Sequence, residues 1–166
     1  MYVSAIDKCS ICNGEGFRVV IWVSGCTHHC PNCHNPETWS FKKGKFFNDS
    51  IRADIKEYLN KPYIKGVTFS GGDPLSLQNR TEVLEFARFL KENFPDKDIW
   101  CYTGYTFEEL PKSLLEYFDV LVDGKFENDK RDVSLAFRGS SNQRIINIPK
   151  TLKVGKVVEW ENNNVG

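Results

Sequence analysis

The chain has 166 residues, a length that suits one compact domain with a buried core and is short for two. Lysine plus arginine and aspartate plus glutamate are equal at 22 each, so no net charge attracts the chain to nucleic acid or to an anionic membrane. Aromatic residues make up 13% of the chain and charged residues 27%, which is typical of a folded globular protein and argues against extended disorder.

The predicted elements alternate between strands and helices along the chain. Apolar segments rich in β-branched and aromatic residues predict strands at 17–25, 65–72, 98–104, 119–124 and 144–148. Helical spacing of apolar residues predicts helices at 48–60, 79–95 and 106–118. Residues 127–137 carry no predicted element, and the last residues, 161–166, look like a loose tail. We therefore expect a single domain over residues 1–166, with its core at about 13–148.

Capping signals mark the start of each predicted helix. Asn48 to Ser50 supply cap candidates for the first helix. Asn79 is placed to cap the second, and Glu82 has the spacing that would complete a capping box. Thr106 and Glu109 have the same spacing at the third, which Pro111 divides.

The predicted strands end in glycines and polar residues. Four of these ends are Gly25-Cys26, Gly71-Gly72-Asp73, Thr103-Gly104 and Asp123-Gly124-Lys125. Parallel strands bring such ends to one edge of the sheet, where ligands bind in α/β folds. The sequence therefore predicts an α/β fold, a partial, open (β/α) barrel with a mostly parallel sheet, and a site at that edge.

The six cysteines indicate metal binding or reactivity rather than a disulfide framework. No apolar stretch approaches the ~20 residues of a membrane helix, and no secretion signal is recognisable at the start. We therefore expect a cytoplasmic protein with reduced thiols, and neither nucleic acid nor a membrane as partner.

Three cysteines, Cys26, Cys30 and Cys33, fall within the stretch "SGCTHHCPNC" and have C-x3-C-x2-C spacing. Three thiolates at this spacing can bind one zinc ion or three irons of an iron-sulfur cluster. A structural zinc site needs a fourth protein ligand, for which the candidates are His28, His29, His34, Cys9 and Cys12. A four-iron cluster would instead keep one iron open for another ligand.

This pattern resembles the cluster motif of the radical S-adenosylmethionine (SAM) enzymes, in which SAM chelates the open iron. The segment "SGGDP" at 70–74 is similar to the glycine-rich motif that holds the methionine part of SAM in that superfamily. Glycines allow close approach of the backbone to a ligand, and Asp73 or nearby carbonyls can accept hydrogen bonds from an ammonium group. The two motifs together, in this order and both at strand ends, favour the cluster over zinc.

A closer resemblance is to the activating proteins of anaerobic ribonucleoside-triphosphate reductases. It is carried by six segments that run from residue 13 to about 148: "NGEGFR", "SGCTHHCPNCHNPETW", "SGGDPL", "DIWCYTGY", "VLVDGKF" and "RGSSNQRI". The resemblance implies a radical SAM type of fold, one 4Fe-4S cluster and SAM as cofactors, and a glycine of the reductase as the hydrogen donor. It also implies an external one-electron donor such as flavodoxin.

The resemblance carries over site residues by position. Cys26, Cys30 and Cys33 match the cluster ligands. Eight residues match or lie beside positions that contact SAM: Asn32, Cys33, His34, Gly71, Gly72, Asp73, Thr103 and Asp123. The segment 138–143 is a further candidate for contact with SAM or with the partner. No acid-base catalytic residue is expected, because the cluster and SAM carry the chemistry.

Two positions depart from the pattern of the superfamily and one pair lies outside it. Asn32 stands where many members have an aromatic residue, and His34 where this family often has tyrosine. Cys9 and Cys12 form a C-x2-C motif. The two thiols are either incidental, or they bind a second metal or act as a redox pair. We expect Cys101 in the core, and His28 and His29 to shape the cluster loop.

Two other functions remain open on sequence alone. One is a radical enzyme that activates a different glycyl radical enzyme or acts on a small molecule. The other is a zinc-stabilised interaction module without activity. The segments "VDGKF" and "RGSSNQ" favour the reductase activase over the first. The brown colour of an iron-sulfur cluster would distinguish it from the second, because zinc is colourless.

Overall fold

A computed structural model describes residues 1–162 of the chain. The strands in chain order are β1 (Tyr2–Ser10), β2 (Phe17–Val23), β3 (Lys45–Phe46), β4 (Ile64–Gly71), β5 (Asp98–Tyr102), β6 (Val120–Asp123) and β7 (Arg144–Asn147). The α-helices are α1 (Asp49–Leu59), α2 (Arg80–Asn93) and α3 (Ile148–Val154). Most of the predicted tail, from residue 163 onward, lies outside the described residues. No α-helix in the described part is long and apolar enough to cross a membrane.

The strands form one open sheet in the order β3-β1-β2-β4-β5-β6-β7. The central strands β2, β4, β5 and β6 are parallel, whereas β1, β3 and β7 pair in antiparallel fashion at the edges. The prediction of an open α/β fold with a mostly parallel sheet is confirmed. The finer prediction, a partial (β/α) barrel, stays a prediction. The sheet has antiparallel strands at its edges, and few helices connect its parallel strands.

All five predicted strands are present, and two further strands were not predicted. β1 is an outer strand whose residues are largely exposed, so its apolar residues are too sparse to indicate a strand. β3 has only two residues, both exposed. β1 pairs with β2 and β3 pairs with β1, so both lie on the side of the sheet away from β6.

The helical stretch predicted at 106–118 is divided at Pro111, as expected, but it contains no α-helix. Two short 3-10 helices, Phe107–Glu109 and Lys112–Leu114, replace it on either side of Pro111. Proline lacks the N–H that a continuous helix needs, so the chain is interrupted there. The predicted reciprocal contact at its start is present, since the Glu109 carboxylate accepts from the Thr106 N–H at 2.7 Å. Residues 127–137, without a predicted element, contain a further 3-10 helix at Asn128–Lys130, and Pro36–Thr38 in the cysteine loop form another.

The two faces of the sheet have different surroundings. Alternate residues of the central strands pack with α1 and α2 in the main core, including Ile21, Phe69 and Leu121. Cys101 belongs to this core and is fully buried, as expected. The opposite face carries a smaller cluster built on Trp100, Val120 and Val122, with Tyr102, Phe137, Ile145 and Trp160 packed against it.

The start of α1 agrees with its predicted cap, because Asn48 Oδ1 accepts from the Ile51 N–H at 3.1 Å. At α2 the helix begins where expected, but the capping roles are wrong. Asn79 donates to the carbonyls of Ser24 and Asp73 at 3.0 and 3.1 Å, and Glu82 pairs with the terminal amino group of Met1. Asn79 thus joins the end of β2 to the segment that follows β4.

The segment "NGEGFR" covers the smaller cluster through the fully buried Arg18. Its guanidinium donates to Thr68 Oγ1 at 2.8 Å and lies 2.5 Å from Asp98 Oδ1. The Trp100 ring lies 5.3 Å from the guanidinium carbon. Burial lowers the pKa of Arg18 and raises that of Asp98, and their mutual attraction opposes both effects.

Candidate functional site

A cavity of about 470 Å³ lies at the carboxyl ends of the parallel strands, where the sequence predicts a site. Trp22, Ser70 and Tyr102, each near the end of its strand, line it from the face opposite the main core. The cavity brings together seven of the predicted site residues: Cys26, Cys30, Cys33, His34, Gly71, Gly72 and Thr103. The three cysteines therefore face one space. Asn32, Asp73 and Asp123 lie outside the lining.

The cysteine loop leaves β2 and is closed at its base by the backbone. The Gly25 N–H donates to the Thr38 carbonyl at 2.7 Å, and the Cys26 N–H donates to Trp39 at 3.1 Å. Gly25 has a φ of 106°, and a Cβ there would overlap the Phe41 ring. Only glycine satisfies both constraints at the point where the strand ends and the loop begins.

Within the loop, local hydrogen bonds shape the turn around the third cysteine. The Cys33 N–H donates to the Cys30 carbonyl at 3.1 Å, and the Asn35 N–H lies 3.4 Å from Cys33 Sγ. A backbone N–H directed at a thiolate stabilises its negative charge, so this contact suits a cysteine that binds metal.

Asp73 joins the cysteine loop to the ends of β4 and β5. Its fully buried carboxylate accepts from Leu75 N–H at 2.8 Å, Gly104 N–H at 3.0 Å and Thr103 Oγ1 at 2.9 Å. The fourth partner is His28, whose Nε2 lies 2.6 Å from Oδ2. Asp73 therefore has its hydrogen-bonding capacity filled by the protein.

The two glycines at the end of β4 are needed for contact with the end of β2 and the residues that follow it. A Cβ on Gly72 would lie 2.5 Å from the Gly25 carbonyl oxygen, and one on Gly71 would overlap the Val23 backbone. Gly71 also has a φ of 109°. These glycines line the cavity with bare backbone, because the space for a side chain is taken by β2 at Gly71 and by the base of the cysteine loop at Gly72.

The histidines of the loop have separate partners. His29 stacks on Trp39 with ring centroids 4.4 Å apart, which agrees with a role in shaping the loop. His34 lies against Phe126, at 4.8 Å between centroids. His29 and Asn32 adopt left-handed backbone conformations, with φ of 47° and 57°.

The far wall of the cavity is built by the segments after β6 and before β7. Gln143 accepts from the N–H groups of Gly139 and Ser140 at 3.0 and 3.1 Å, and donates to the Gly124 carbonyl at 3.0 Å. Arg138 lines the cavity and donates to the Gln143 carbonyl. The "RGSSNQ" segment is thus a defined loop with Gln143 at its centre.

The carboxylate of Asp123, a predicted SAM contact, is hydrogen-bonded to other groups of the protein. Its carboxylate lies 2.5 Å from Arg144 Nη2 and accepts from the Phe107 N–H at 2.7 Å. The pKa of Arg144 is raised above its ordinary value, mainly by its hydrogen bond to Asp123 and next by its hydrogen bond to Glu108.

The electrostatic setting of the free thiols follows from their burial. Burial raises the pKa of Cys26 and Cys30, and nearby backbone N–H groups of His28 and Phe126 partly offset the effect. Cys12 lines the cavity although exposed, and Cys9 is exposed on β1.

Several cavity residues were not among the predicted site residues: Cys12, Asn13, Trp22, Ser70, Tyr102, Phe126 and Phe137. Trp22, Ser70 and Tyr102 could have been found from strand alternation, because they occupy the face opposite the core residues Ile21, Phe69 and Cys101. Phe137 had no such signal, since it lies in a segment without a predicted element.

The donor set fits an iron-sulfur cluster. Three soft thiol ligands face one cavity that has room for a group larger than an ion. Among residues 1–162, no three His, Cys, Asp or Glu side chains are grouped closely enough to hold a single metal ion.

Comparison with known proteins agrees with this donor set. Residues 12–146 match the family model described as a 4Fe-4S single cluster domain. Three similar proteins are each named anaerobic ribonucleoside-triphosphate reductase-activating protein. The Pasteurella multocida protein is 48% identical over 142 residues, covering 81% of this chain and 90% of that protein. The Escherichia coli K12 protein is 44% identical over 138 residues, covering 80% and 90%.

The third relative, from Enterobacteria phage T4, is 42% identical over 146 residues, covering 87% of this chain and 93% of that protein. Identity at this level over most of both chains shows common family membership. The chain therefore belongs to the family of anaerobic ribonucleoside-triphosphate reductase-activating proteins.

Proposed function

We propose that this protein uses a 4Fe-4S cluster and SAM to generate the glycyl radical of an anaerobic ribonucleoside-triphosphate reductase. The observation that carries the proposal is the convergence of Cys26, Cys30 and Cys33 with the Gly71-Gly72 turn on one cavity. Membership of a family named for activating that reductase supports the same partner.

Cys26, Cys30 and Cys33 would hold three irons of the cluster, which leaves the fourth for the amino and carboxylate groups of SAM. When bound, the reduced cluster would supply one electron to the carbon-sulfur bond of SAM, which would break to give methionine and a 5'-deoxyadenosyl radical able to take a hydrogen atom from a reductase glycine. An external one-electron donor such as flavodoxin supplies the electron, and the reaction takes place in the cytoplasm.

The chain's own residues bind and orient in this proposal. The backbone at Gly71 and Gly72, with Thr103, contacts the methionine part of SAM, since all three line the cavity beside the cysteines. Asn32 and His34 flank the third cysteine ligand. Asp73 and Asp123 do not contact SAM but hold other residues in place. Their carboxylates already accept hydrogen bonds from Thr103 and from Arg144.

The lining of the cavity carries no carboxylate and little permanent charge. None of the described residues that line it is Asp or Glu, and Arg138 is its one permanently charged side chain. Half-buried aromatic and aliphatic residues, Phe126, Leu135 and Phe137, form part of the wall and exclude water from a reactive radical.

The test is anaerobic reconstitution with iron and sulfide, followed by addition of a reductant and SAM. We expect a brown protein that releases 5'-deoxyadenosine, and a glycyl radical signal in electron paramagnetic resonance once the reductase is added. A protein that holds only zinc and forms no 5'-deoxyadenosine would refute the proposal. Cleavage of SAM without a radical on the reductase would point to a different substrate.

A further inference from the structure

Two cysteines at the end of β1 have no part in the proposed function. Cys9 and Cys12 are the exposed members of the six cysteines, all of which lie within the described residues 1–162. The three cysteines proposed to bind the cluster are half-buried, and Cys101 is fully buried. Accessible thiols are the ones that react with oxidants or exchange with disulfides, so Cys9 and Cys12 are the two cysteines suited to such chemistry.

The surroundings of this pair argue against a second metal site. A structural zinc site takes four ligands, and no group of three His, Cys, Asp or Glu side chains in the described part of the chain is close enough to hold one ion. Asp7, two residues before Cys9, already accepts from the Trp22 indole N–H at 2.9 Å. Of the functions that the C-x2-C motif allows, a redox pair is therefore favoured over a metal site.

The backbone between the two cysteines bends, as a disulfide between them requires. Ile11 and Cys12 lie in bends, and the Cys12 N–H donates to Ser10 Oγ at 3.3 Å. A four-residue turn brings its outer Cα atoms within about 7 Å, which is the upper limit for a disulfide. Cys9 lies where the register between β1 and β2 shifts, between Asp7 and Ser10, so a regular ladder does not fix its backbone.

Cys12 places one end of the pair at the wall of the cavity. It lines the same cavity as the three cysteines of the loop after β2. The carbonyl of the next residue, Asn13, accepts from Thr68 Oγ1 of β4 at 2.7 Å, and the Thr68 hydroxyl accepts from Arg18 Nε at 2.8 Å. This part of the wall is therefore attached to the sheet, and a bond from Cys12 to Cys9 would join it to β1 as well.

We propose that Cys9 and Cys12 form a reversible dithiol–disulfide pair, a second redox site that is separate from the cluster and independent of the proposed function. The oxidant is a small disulfide of the glutathione type. The thiolate of one cysteine attacks a sulfur of this disulfide and releases one small thiol. The other cysteine then attacks the mixed disulfide, forms the Cys9–Cys12 bond and releases the second small thiol. The protein loses two electrons and two protons, and the small disulfide gains them.

The test equilibrates the cluster-loaded protein with mixtures of reduced and oxidised glutathione under anaerobic conditions, and then blocks the remaining free thiols by alkylation. Trypsin cuts after Lys8 and Arg18, and the peptide between them contains Cys9, Cys12 and no other cysteine. Mass spectrometry should find this peptide as an internal disulfide, two hydrogens lighter than the dithiol. A tenfold rise in oxidised glutathione, at constant reduced glutathione, should raise the ratio of disulfide to dithiol roughly tenfold. Dithiothreitol should restore the dithiol, with iron content unchanged throughout.

Single variants separate a disulfide from independent modification of two thiols. Cys9→Ser and Cys12→Ser each leave one thiol, which should form only a mixed disulfide with glutathione. Cys101→Ala, which removes a buried thiol outside the pair, is the matched control and should keep the wild-type dependence on glutathione.

Two results would overturn the proposal and leave the proposed function intact. One is a wild-type peptide that keeps two free thiols, or carries two separate glutathione adducts, in every mixture that leaves the iron in place. The other is zinc or additional iron that is lost when Cys9 and Cys12 are both replaced by serine, because it would show that the two thiols bind a metal.

Discussion

The Nε2 atom of His28 lies 2.6 Å from Oδ2 of Asp73, and this contact joins the cysteine loop to the segment that follows β4. The same carboxylate accepts from Thr103 and Gly104 at the end of β5. One buried group therefore fixes three separate segments around the cavity. It does so without lining the cavity itself.

The first prediction concerns the replacement Asp73→Asn. Oδ1 accepts from Leu75 N–H and Oδ2 from Gly104 N–H, so in either orientation the new amide group faces a backbone donor. Leaving such a buried donor unpaired costs about 1 to 3 kcal/mol, and we expect a loss of this size in the free energy of unfolding. Urea unfolding of the variant and of Asp129→Asn, at an exposed position, measures it. Equal stability of the Asp73→Asn variant and the wild type would contradict the prediction.

The second prediction concerns Gly72→Ala. The added Cβ would lie 2.5 Å from the Gly25 carbonyl oxygen and 2.8 Å from its carbon, and backbone atoms cannot move aside as a flexible side chain can. We expect the base of the cysteine loop to shift and the reconstituted protein to lose most of its iron. Iron per chain and the absorbance of the cluster measure this loss.

Gly155→Ala is the matched control for that variant. Gly155 caps α3 with a φ of 80°, and a Cβ there would meet nothing within 4 Å. We expect a stability loss of about 1 kcal/mol from backbone strain and a normal iron content. Equal iron in both variants would show that the approach of Gly72 to Gly25 is not what holds the loop.

The sequence predicted those parts of the molecule whose signals are local. β2 is buried on both faces and contains the continuous apolar run Val19 to Val23, whereas β1 has a single buried residue among nine and was not predicted. Asn79 and Glu82 have the spacing of a capping box, but tertiary contacts with Ser24 and Met1 take their side chains instead. A spacing rule cannot anticipate a partner more than fifty residues away.

The candidate site shows the same difference between local sequence signals and tertiary contacts. The three cysteines and the two glycines are recognisable because their spacing is short and their residue types are specific. The roles of Asp73 and Asp123 were less predictable, because each carboxylate is matched to donors on other strands. The pairing of His34 with Phe126 likewise depends on how the end of β6 approaches the cysteine loop.

The third prediction concerns Gln143→Ala. This side chain makes hydrogen bonds to Gly139, Ser140 and Gly124 and thereby joins the loop before β7 to the end of β6. We expect a loss of roughly 2 kcal/mol in the free energy of unfolding, and faster proteolysis within residues 138–141. Limited proteolysis with mass spectrometry locates the cut. Ser141→Ala, in the same loop at an exposed position, is the control, and equal cleavage of the two variants would contradict the prediction.

The fourth prediction concerns the pH dependence of stability and the buried Cys101. Burial raises the pKa of this thiol well above its ordinary value, so the unfolded chain releases the proton at a lower pH than the folded chain does. The resulting contribution to stability is complete below the unfolded pKa of about 8.5 and is lost as the pH rises toward the folded pKa. Cys101→Ala removes this dependence. Its free energy of unfolding should therefore fall less steeply above about pH 8.5, by up to about 1.4 kcal/mol per pH unit.

The measurement for Cys101→Ala is urea unfolding across this alkaline range, compared with the wild type at matched iron content. Tyr102 adds to the slope in both proteins, because burial also raises the pKa of its hydroxyl. The comparison therefore depends on the difference in slope and is independent of the stability lost through the smaller side chain. Ser141→Ala, which changes no titratable group and lies at an exposed position, is the control and should leave the wild-type slope unchanged. Parallel alkaline slopes for the wild type and Cys101→Ala would show that this thiol does not link proton release to folding.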